Sequence, residues 1–167
     1  AVILAQLHAA VTGWTPRGRR VEPRIAELLR VIAEAWAACP AKTKNTAFDA
    51  YVTEHLGLVR RDIEETMAAL CSPEAHDLPE TIIHCDYHPG NLKFEGDRVS
   101  GLFDFDWAKV DWRAFDVALA TWYFCVSWQG DQDGRLRLGQ ARLFLRAYQK
   151  HMRARAGAEP LNALEIR

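Results

Sequence analysis

Asp86 and Asn91 stand five positions apart in the stretch His84-Cys85-Asp86-Tyr87-His88-Pro89-Gly90-Asn91, and Asp104 follows in Leu102-Phe103-Asp104-Phe105-Asp106. A carboxylate, an amide and a second carboxylate in this order suit phosphoryl transfer. That reaction asks for one carboxylate to orient an attacking hydroxyl and accept its proton. It also asks for hard oxygen ligands on the divalent ions that neutralise phosphate charge. The elements that must position these groups are short. Thr81-Ile82-Ile83 predicts a buried strand leading into the stretch, and Pro89-Gly90 turns the chain. Residues 91–94 and 98–103 predict two strands of a hairpin that turns at Glu95-Gly96-Asp97. Asp86, Asn91 and Asp104 then come from two loops flanking one small sheet and are expected to converge.

Two other readings of these residues stand beside this one. Asp86 and Asn91 are also good turn formers around Pro89-Gly90. His84, Asp86 and His88 alternate, so on a strand all three face one side, a geometry suited to a zinc or iron hydrolase. That site leaves Asn91 and the Asp-Phe-Asp run unexplained.

His84 to Asn91, followed by Phe103-Asp104-Phe105-Asp106, resembles the catalytic core of the aminoglycoside phosphotransferase and choline kinase superfamily, which shares the protein-kinase fold. The resemblance spans roughly residues 80 to 120 in its motifs, and the helical flanks extend it over most of the chain. It implies ATP-dependent transfer to a small-molecule alcohol, with ATP and Mg2+ as cofactors. It implies Asp86 as catalytic base and Asn91 and Asp104 as magnesium ligands, with Phe103 contributing to the adenine floor. It implies supporting roles for His84 beneath the loop and for Asp116, in Phe115-Asp116-Val117-Ala118, as the carboxylate that bonds the loop backbone. His88 reads as structural, and Asp106 suits a solvated or capping role as well as a metal contact. Lys93 stands where the family places an apolar floor residue.

Composition narrows the class. The 167 residues are 49% apolar and 26% charged, with a formal net charge of −1, which is ordinary for one globular domain. Near-neutral charge offers no basic stripe for nucleic acid and no polybasic membrane patch. Cys39, Cys71, Cys85 and Cys125 are scattered, which argues against a zinc ribbon or a disulfide scaffold. No signal peptide and no membrane-length apolar run is read, so a cytoplasmic location is expected.

In chain order, residues 1–11 predict a helix with Leu4, Leu7, His8 and Val11 on one face, His8 being a packed residue. Gly13 to Arg20 is a basic connector. Pro23 opens a helix that buries Ile25, Leu28, Leu29, Ile32 and Trp36 and stops at Cys39-Pro40. Ala41 to Asn45 is a polar linker. A helix using Phe48, Tyr51, Val52, His55 and Leu56 is expected to stop at Gly57, and another to run from Leu58 to Cys71. After the hairpin, Trp107 or Trp112 offers a ring that suits core packing as well as stacking on an acceptor. Residues 113–128 predict a helix apolar on most faces, hence central and buried. Gln129 to Gly134 reads as a turn rather than a calcium loop. Leu136 to His151 predicts an amphipathic helix on Leu136, Leu143, Phe144, Ala147 and Tyr148, and a last helix starts near Pro160.

The expected fold class is α+β, mainly α: a protein-kinase-like C-terminal lobe over 1–167, helical over 1–78, with the catalytic loop and hairpin at 81–106 and helix again over 112–167. No stretch before residue 80 reads as strands, and no G-x-G-x-x-G or strand lysine is present. The chain is therefore expected to be a fragment lacking the N-terminal lobe, weakly active or inactive alone. Its expected partners are that lobe and a small-molecule hydroxyl acceptor, with self-association through the exposed lobe interface. A non-catalytic kinase-like binding fragment is the bland alternative.

Overall fold

The computed structural model describes residues 1–18, 22–38, 46–130 and 133–166. Two antiparallel pairs of strands lie among helices. Strand β1 (Glu80–Ile83) pairs with β4 (Lys109–Trp112), in the register Glu80↔Trp112 to Ile83↔Lys109. Strands β2 (Leu92–Glu95) and β3 (Arg98–Leu102) form the expected hairpin, with Leu92 opposite Leu102. Gly96 opens its two-residue turn at φ +59, a conformation that favours glycine. The register slips by one after Lys93, leaving Ser100 as a bulge on β3. β4 is not foreseen in the sequence. Its burial nonetheless alternates, with Lys109 and Asp111 inward, so the period of a strand is present but carried by charged residues.

The helices are α1 (Val2–Ala10), α2 (Ile25–Ala38), α3 (Ala47–Leu70), α4 (Arg113–Cys125), α5 (Leu138–Arg153) and α6 (Ala163–Ile166). Among the described residues before Glu80, every regular element is helical. Where one lobe is expected over 1–167, the chain forms two compact units, one of Ala1–Glu22 with Leu78–Arg167 and one of Pro23–Asp77.

In the first unit, α1 and α4 pack on α5. Leu4, Tyr87, Val117, Phe144, Tyr148 and Met152 form the centre of its core. The core helices each bury one stripe. On α4 the stripe is Arg113, Asp116, Val117 and Ala120, spaced i, i+3, i+4, i+7, while Ala118 and Trp122 are exposed. The expectation of a wholly buried α4 is thus corrected: its outer apolar residues face solvent. On α5 the buried residues are Ala141, Phe144, Tyr148 and Met152; of the expected inward residues, Leu143 is exposed, and Leu136 lies before the helix, bridged to Val126 and also exposed.

In the second unit, α2 and α3 form a helical pair. Arg60 of α3 donates to the Trp36 carbonyl of α2 at 3.2 Å. Thr46 caps α3 reciprocally with Asp49. The expected stop at Gly57 does not occur, and α3 runs unbroken through it. Gly57 is exposed and a mid-helix glycine costs only about 1 kcal/mol, which neighbouring turns absorb. Of the faces expected to be inward, Ile25 and Leu56 are buried, while Ile32, Phe48 and Tyr51 are exposed. The expected stop at Cys39-Pro40, the linker 41–45, Arg19 and Arg20 of the basic connector, and Asp131 and Gln132 of the turn lie outside the described residues. No helix among the described residues is long and apolar enough to cross a membrane.

Candidate active site

The catalytic-type loop leaves β1 at Ile83 and enters β2 at Leu92. Its geometry follows from one carboxylate. Asp116, fully buried on α4, accepts from the His84 amide through Oδ2 at 3.0 Å and from the Cys85 amide through Oδ1 at 2.9 Å. Cys85 sits at φ +65, which for a residue with a Cβ costs about 1 kcal/mol or more. Two amides donated to one buried carboxylate hold that turn and set where Asp86 leaves the backbone.

His84 is fully buried and uses both ring nitrogens structurally. Nε2 lies 3.1 Å from the Phe103 carbonyl, and Nδ1 accepts from the Asp86 amide at 3.3 Å. The partners assign the proton to Nε2. With neither nitrogen available, His84 does not serve the zinc or iron site that its alternation with Asp86 and His88 suggests.

Asn91 is buried at the far end of the loop. Its amide nitrogen donates to the Asp86 carbonyl at 2.9 Å and to Asp86 Oδ2 at 3.0 Å. The Asn91 amide oxygen is therefore the atom with lone pairs to offer a cation. The Asn91 carbonyl in turn accepts from the Phe103 amide at 3.2 Å. Phe103 is thus clasped on one side by Asn91 and on the other by His84, and Asp104 follows it directly. The backbone of Asp104 is tied to the loop that carries Asp86 and Asn91 by these two bonds. Asp104 itself turns at φ +62 and is exposed, as are Phe103, Phe105, Asp106 and Trp107. The short-chain carboxyl tolerates that left-handed conformation better than most side chains.

His88 caps the turn Pro89–Asn91, its Nδ1 accepting from the Gly90 amide at 3.0 Å. A Cβ at position 90 would meet the His88 ring at 2.6 Å, so a larger residue there would push the ring out of its capping position. The other nitrogen, Nε2, lies 3.5 Å from Asp86 Oδ2. His88 is therefore structural and also touches the candidate base. Lys93, next to the buried Leu92, points to solvent.

Other residues surround the loop; Trp107, Trp112 and His8 are singled out in the sequence, whereas Tyr123 and Lys109 are not. Tyr123 of α4 lies with its ring 5.2 Å from that of His88. Trp122 and Trp128 meet edge to face at 5.9 Å nearby on the chain. Trp107, half exposed, lies under the Lys109 ammonium at 5.9 Å, and Trp112 is partly buried. Lys109 and Asp111 are buried on β4. Burial pushes the Cys85 thiol above its ordinary value, an effect that the Lys109 ammonium partly offsets. Most telling is His8 of α1, fully buried, whose Nε2 lies 3.0 Å from Asp116 Oδ2 and whose Nδ1 lies 2.7 Å from the Tyr148 hydroxyl. The sequence signal for His8 exists: a polar ring on an apolar face must find partners.

Known proteins are similar to this chain in sequence. Homoserine kinase of Parvibaculum lavamentivorans is 37% identical over 146 residues, covering 87% of this chain and 40% of its own length. Homoserine kinase of Rhizobium meliloti is 37% identical over 107 residues, covering 62% of this chain and 31% of its own. A homoserine kinase from Bradyrhizobium sp. is 42% identical over 73 residues. The chain therefore spans about two fifths or less of the length of these relatives. The profile of one family, described as the phosphotransferase enzyme family (APH), matches residues 1–157, from the helix that carries His8 past the end of α5. That match takes in the whole Asp86, Asn91, Asp104 and Asp116 constellation, and the chain is a member of the APH phosphotransferase family.

Proposed function

We propose that this chain is the catalytic part of an ATP-dependent phosphotransferase acting on a small-molecule hydroxyl, and that homoserine is the first acceptor to test. The supporting observation is the closed circuit that joins Asp86, Asn91 and the Phe103-Asp104 corner through the Asn91 side chain and backbone. The acceptor is suggested by relatives named homoserine kinase. In this reading Asp86 orients the acceptor hydroxyl and takes its proton as the oxygen attacks the γ-phosphorus. The bond from that phosphorus to the bridging oxygen breaks, and ADP leaves. The Asn91 amide oxygen and the Asp104 carboxylate, both hard oxygen donors, would hold magnesium. When bound, the ion neutralises charge on the phosphates. Asn91 also steadies Asp86 through Oδ2, and His88 approaches the same oxygen.

The nucleotide-clamping lobe is a proposed partner. Phe94, Phe103, Phe105 and Trp107 are each about half exposed around the Asp104 corner. An apolar surface of this kind suits docking of that lobe, and without it favours association between copies. The location is proposed as cytoplasmic, where ATP and small alcohol acceptors are available.

The test is transfer of phosphate from MgATP to homoserine and to a panel of other small alcohols, followed by phosphorus NMR, with the nucleotide-clamping half supplied. Asp86→Ala should lower turnover by about 10²- to 10⁴-fold while nucleotide binding remains measurable. Asp104→Asn should instead weaken magnesium-dependent nucleotide binding. Turnover retained in Asp86→Ala, or none with any acceptor in the unsubstituted protein, overturns the reading.

A further inference from the structure

We infer that His88 is a positioning residue for Asp86: it helps to hold Oδ2 of that carboxylate as an acceptor, which leaves Oδ1 as the oxygen that takes the proton of the attacking hydroxyl. The inference deepens the phosphotransferase reading and rests on it, but part of its test needs no turnover.

The two carboxylate oxygens of Asp86 stand in different surroundings. Oδ2 accepts from the Asn91 amide nitrogen at 3.0 Å and lies 3.5 Å from His88 Nε2. Oδ1 meets no donor among the described residues. The Asp86 side chain is 28% exposed, so a bound hydroxyl can reach it. Both hydrogens of the Asn91 side-chain amide are assigned, one to the Asp86 carbonyl and one to Oδ2. At 3.5 Å the His88 contact is longer than a formed hydrogen bond, and contacts of this kind at reacting groups tighten when substrate is bound. A carboxyl proton on Oδ2 would face N–H groups and find no acceptor. A proton on Oδ1 leaves Oδ2 as the carbonyl oxygen, which two N–H donors suit. The transfer then balances within one side chain. The hydroxyl proton passes to Oδ1 as the hydroxyl oxygen bonds to phosphorus, and the contacts at Oδ2 persist.

Which nitrogen of His88 carries the proton follows from the turn that it caps. The Gly90 amide donates to Nδ1 at 3.0 Å, so the neutral ring bears its proton on Nε2, the nitrogen nearest Asp86. The ring is held in that pose. The Gly90 bond fixes one edge, and the Tyr123 ring lies 5.2 Å from it. Gly90 leaves the space that the ring occupies, since a Cβ there would stand 2.6 Å from it. One side chain thus binds the turn through one nitrogen and presents the other to the candidate base. The turn in question ends at Asn91, the second donor to Oδ2, so the cap and the two contacts at Asp86 form one unit.

If His88 served only to cap the turn, any side chain that accepts from the Gly90 amide would replace it. Asn and Gln separate its two nitrogens. Asn sets an oxygen near the Nδ1 position, as a good cap does, and nothing at Nε2, whereas Gln reaches the Nε2 position with an N–H. The test is steady-state transfer from MgATP to homoserine, or to the panel alcohol that the unsubstituted protein turns over, with the nucleotide-clamping half supplied. His88→Asn should lower kcat about tenfold and leave KM for MgATP and for the acceptor within about twofold. Its Gly90 and Asn91 amides should exchange hydrogen within about threefold of the unsubstituted rate. His88→Gln should retain more of kcat than His88→Asn, although its Gly90 amide exchanges faster. An Asn variant with unchanged kcat, a loss of kcat that only accompanies faster Gly90 exchange, or a Gln variant no better than Asn overturns the inference. Nitrogen NMR of the unsubstituted chain supplies the part that needs no turnover, and it carries the test alone if the variants do not fold. His88 should show the Nε2–H tautomer, and an Nδ1–H tautomer overturns the inference. Absent turnover in the unsubstituted protein is a different failure: it overturns the phosphotransferase reading, and this inference with it, whichever tautomer His88 shows.

Discussion

Asp116→Asn is the sharpest perturbation of this structure because it changes one atom and almost no volume. The carboxylate accepts from Cys85 through Oδ1 and from His84 and His8 through Oδ2. An amide keeps one acceptor oxygen and replaces the other with a donor. The less costly orientation keeps the oxygen at the Oδ2 position, where two donors meet it. The NH2 group then faces the Cys85 amide, donor against donor. One charge-assisted bond is lost and a buried N–H is left without an acceptor, a penalty of about 1.5 to 3 kcal/mol. For a chain of this size that should lower the Tm by about 3 to 12 °C. The local effect should be larger than the global one, because the lost bond holds the strained residue beside Asp86. Thermal unfolding followed by circular dichroism measures the first effect, and exchange of the Cys85 amide measures the second. An Asn variant that melts with the unsubstituted chain and keeps the Cys85 amide protected would refute the claim that this carboxylate holds the loop.

Arg113 and Glu165 supply a second test, distant from the loop. The guanidinium donates to Glu165 at 2.6 and 2.8 Å and to the carbonyls of Glu159 and Pro160, tying the C-terminal segment to the start of α4. Burial opposes the charge on Arg113, yet the Glu165 carboxylate holds its pKa above the ordinary value. Glu165→Ala should cost about 3 kcal/mol by leaving that charge buried without its anion, whereas replacing both residues with apolar ones of similar volume should cost far less. Urea midpoints separate the two outcomes. Alkaline pH offers a third. Burial pushes Tyr87 from 10.0 up to about 12. A folded-state pKa raised above the unfolded value contributes stability that is whole below pH 10 and is lost as pH rises towards 12, on the order of 2 to 3 kcal/mol. Tyr87→Phe should flatten that part of the stability profile, and an unchanged slope would show that Tyr87 does not titrate with unfolding.

The loop and hairpin that carry the candidate residues were legible in the sequence and their surroundings were not, and the difference has a physical cause. Asp86, Asn91 and Asp104 are set by short-range spacing: five residues of loop, a turn at Pro89-Gly90, and a hairpin whose Gly96 and alternating strands announce themselves locally. Helix existence was legible for the same reason, since periodicity is local. Which stripe of a helix is inward was less so. Leu143 is as apolar as Phe144, and only the position of α5 against α1 and α4 exposes it. Gly57 reads as a stop, but a helix continues when its neighbouring turns outweigh one glycine. β4 escaped notice because its inward residues are Lys109 and Asp111, and a hydrophobic pattern cannot report a strand that buries charge.

The sequence by itself determined the order of the chemical groups, the turn that separates Asp86 from Asn91, and the family to which they belong. Tertiary structure alone decided that His84 turns both nitrogens inward, that Phe103 is clasped between His84 and Asn91, and that His8 reaches Asp116 on one side and Tyr148 on the other. Spacing governs contacts within a turn or a hairpin, where the chain itself limits the choices. Contacts across a hundred residues depend on which helix faces pack, and a buried histidine shows only that it needs a partner, not which one it will meet.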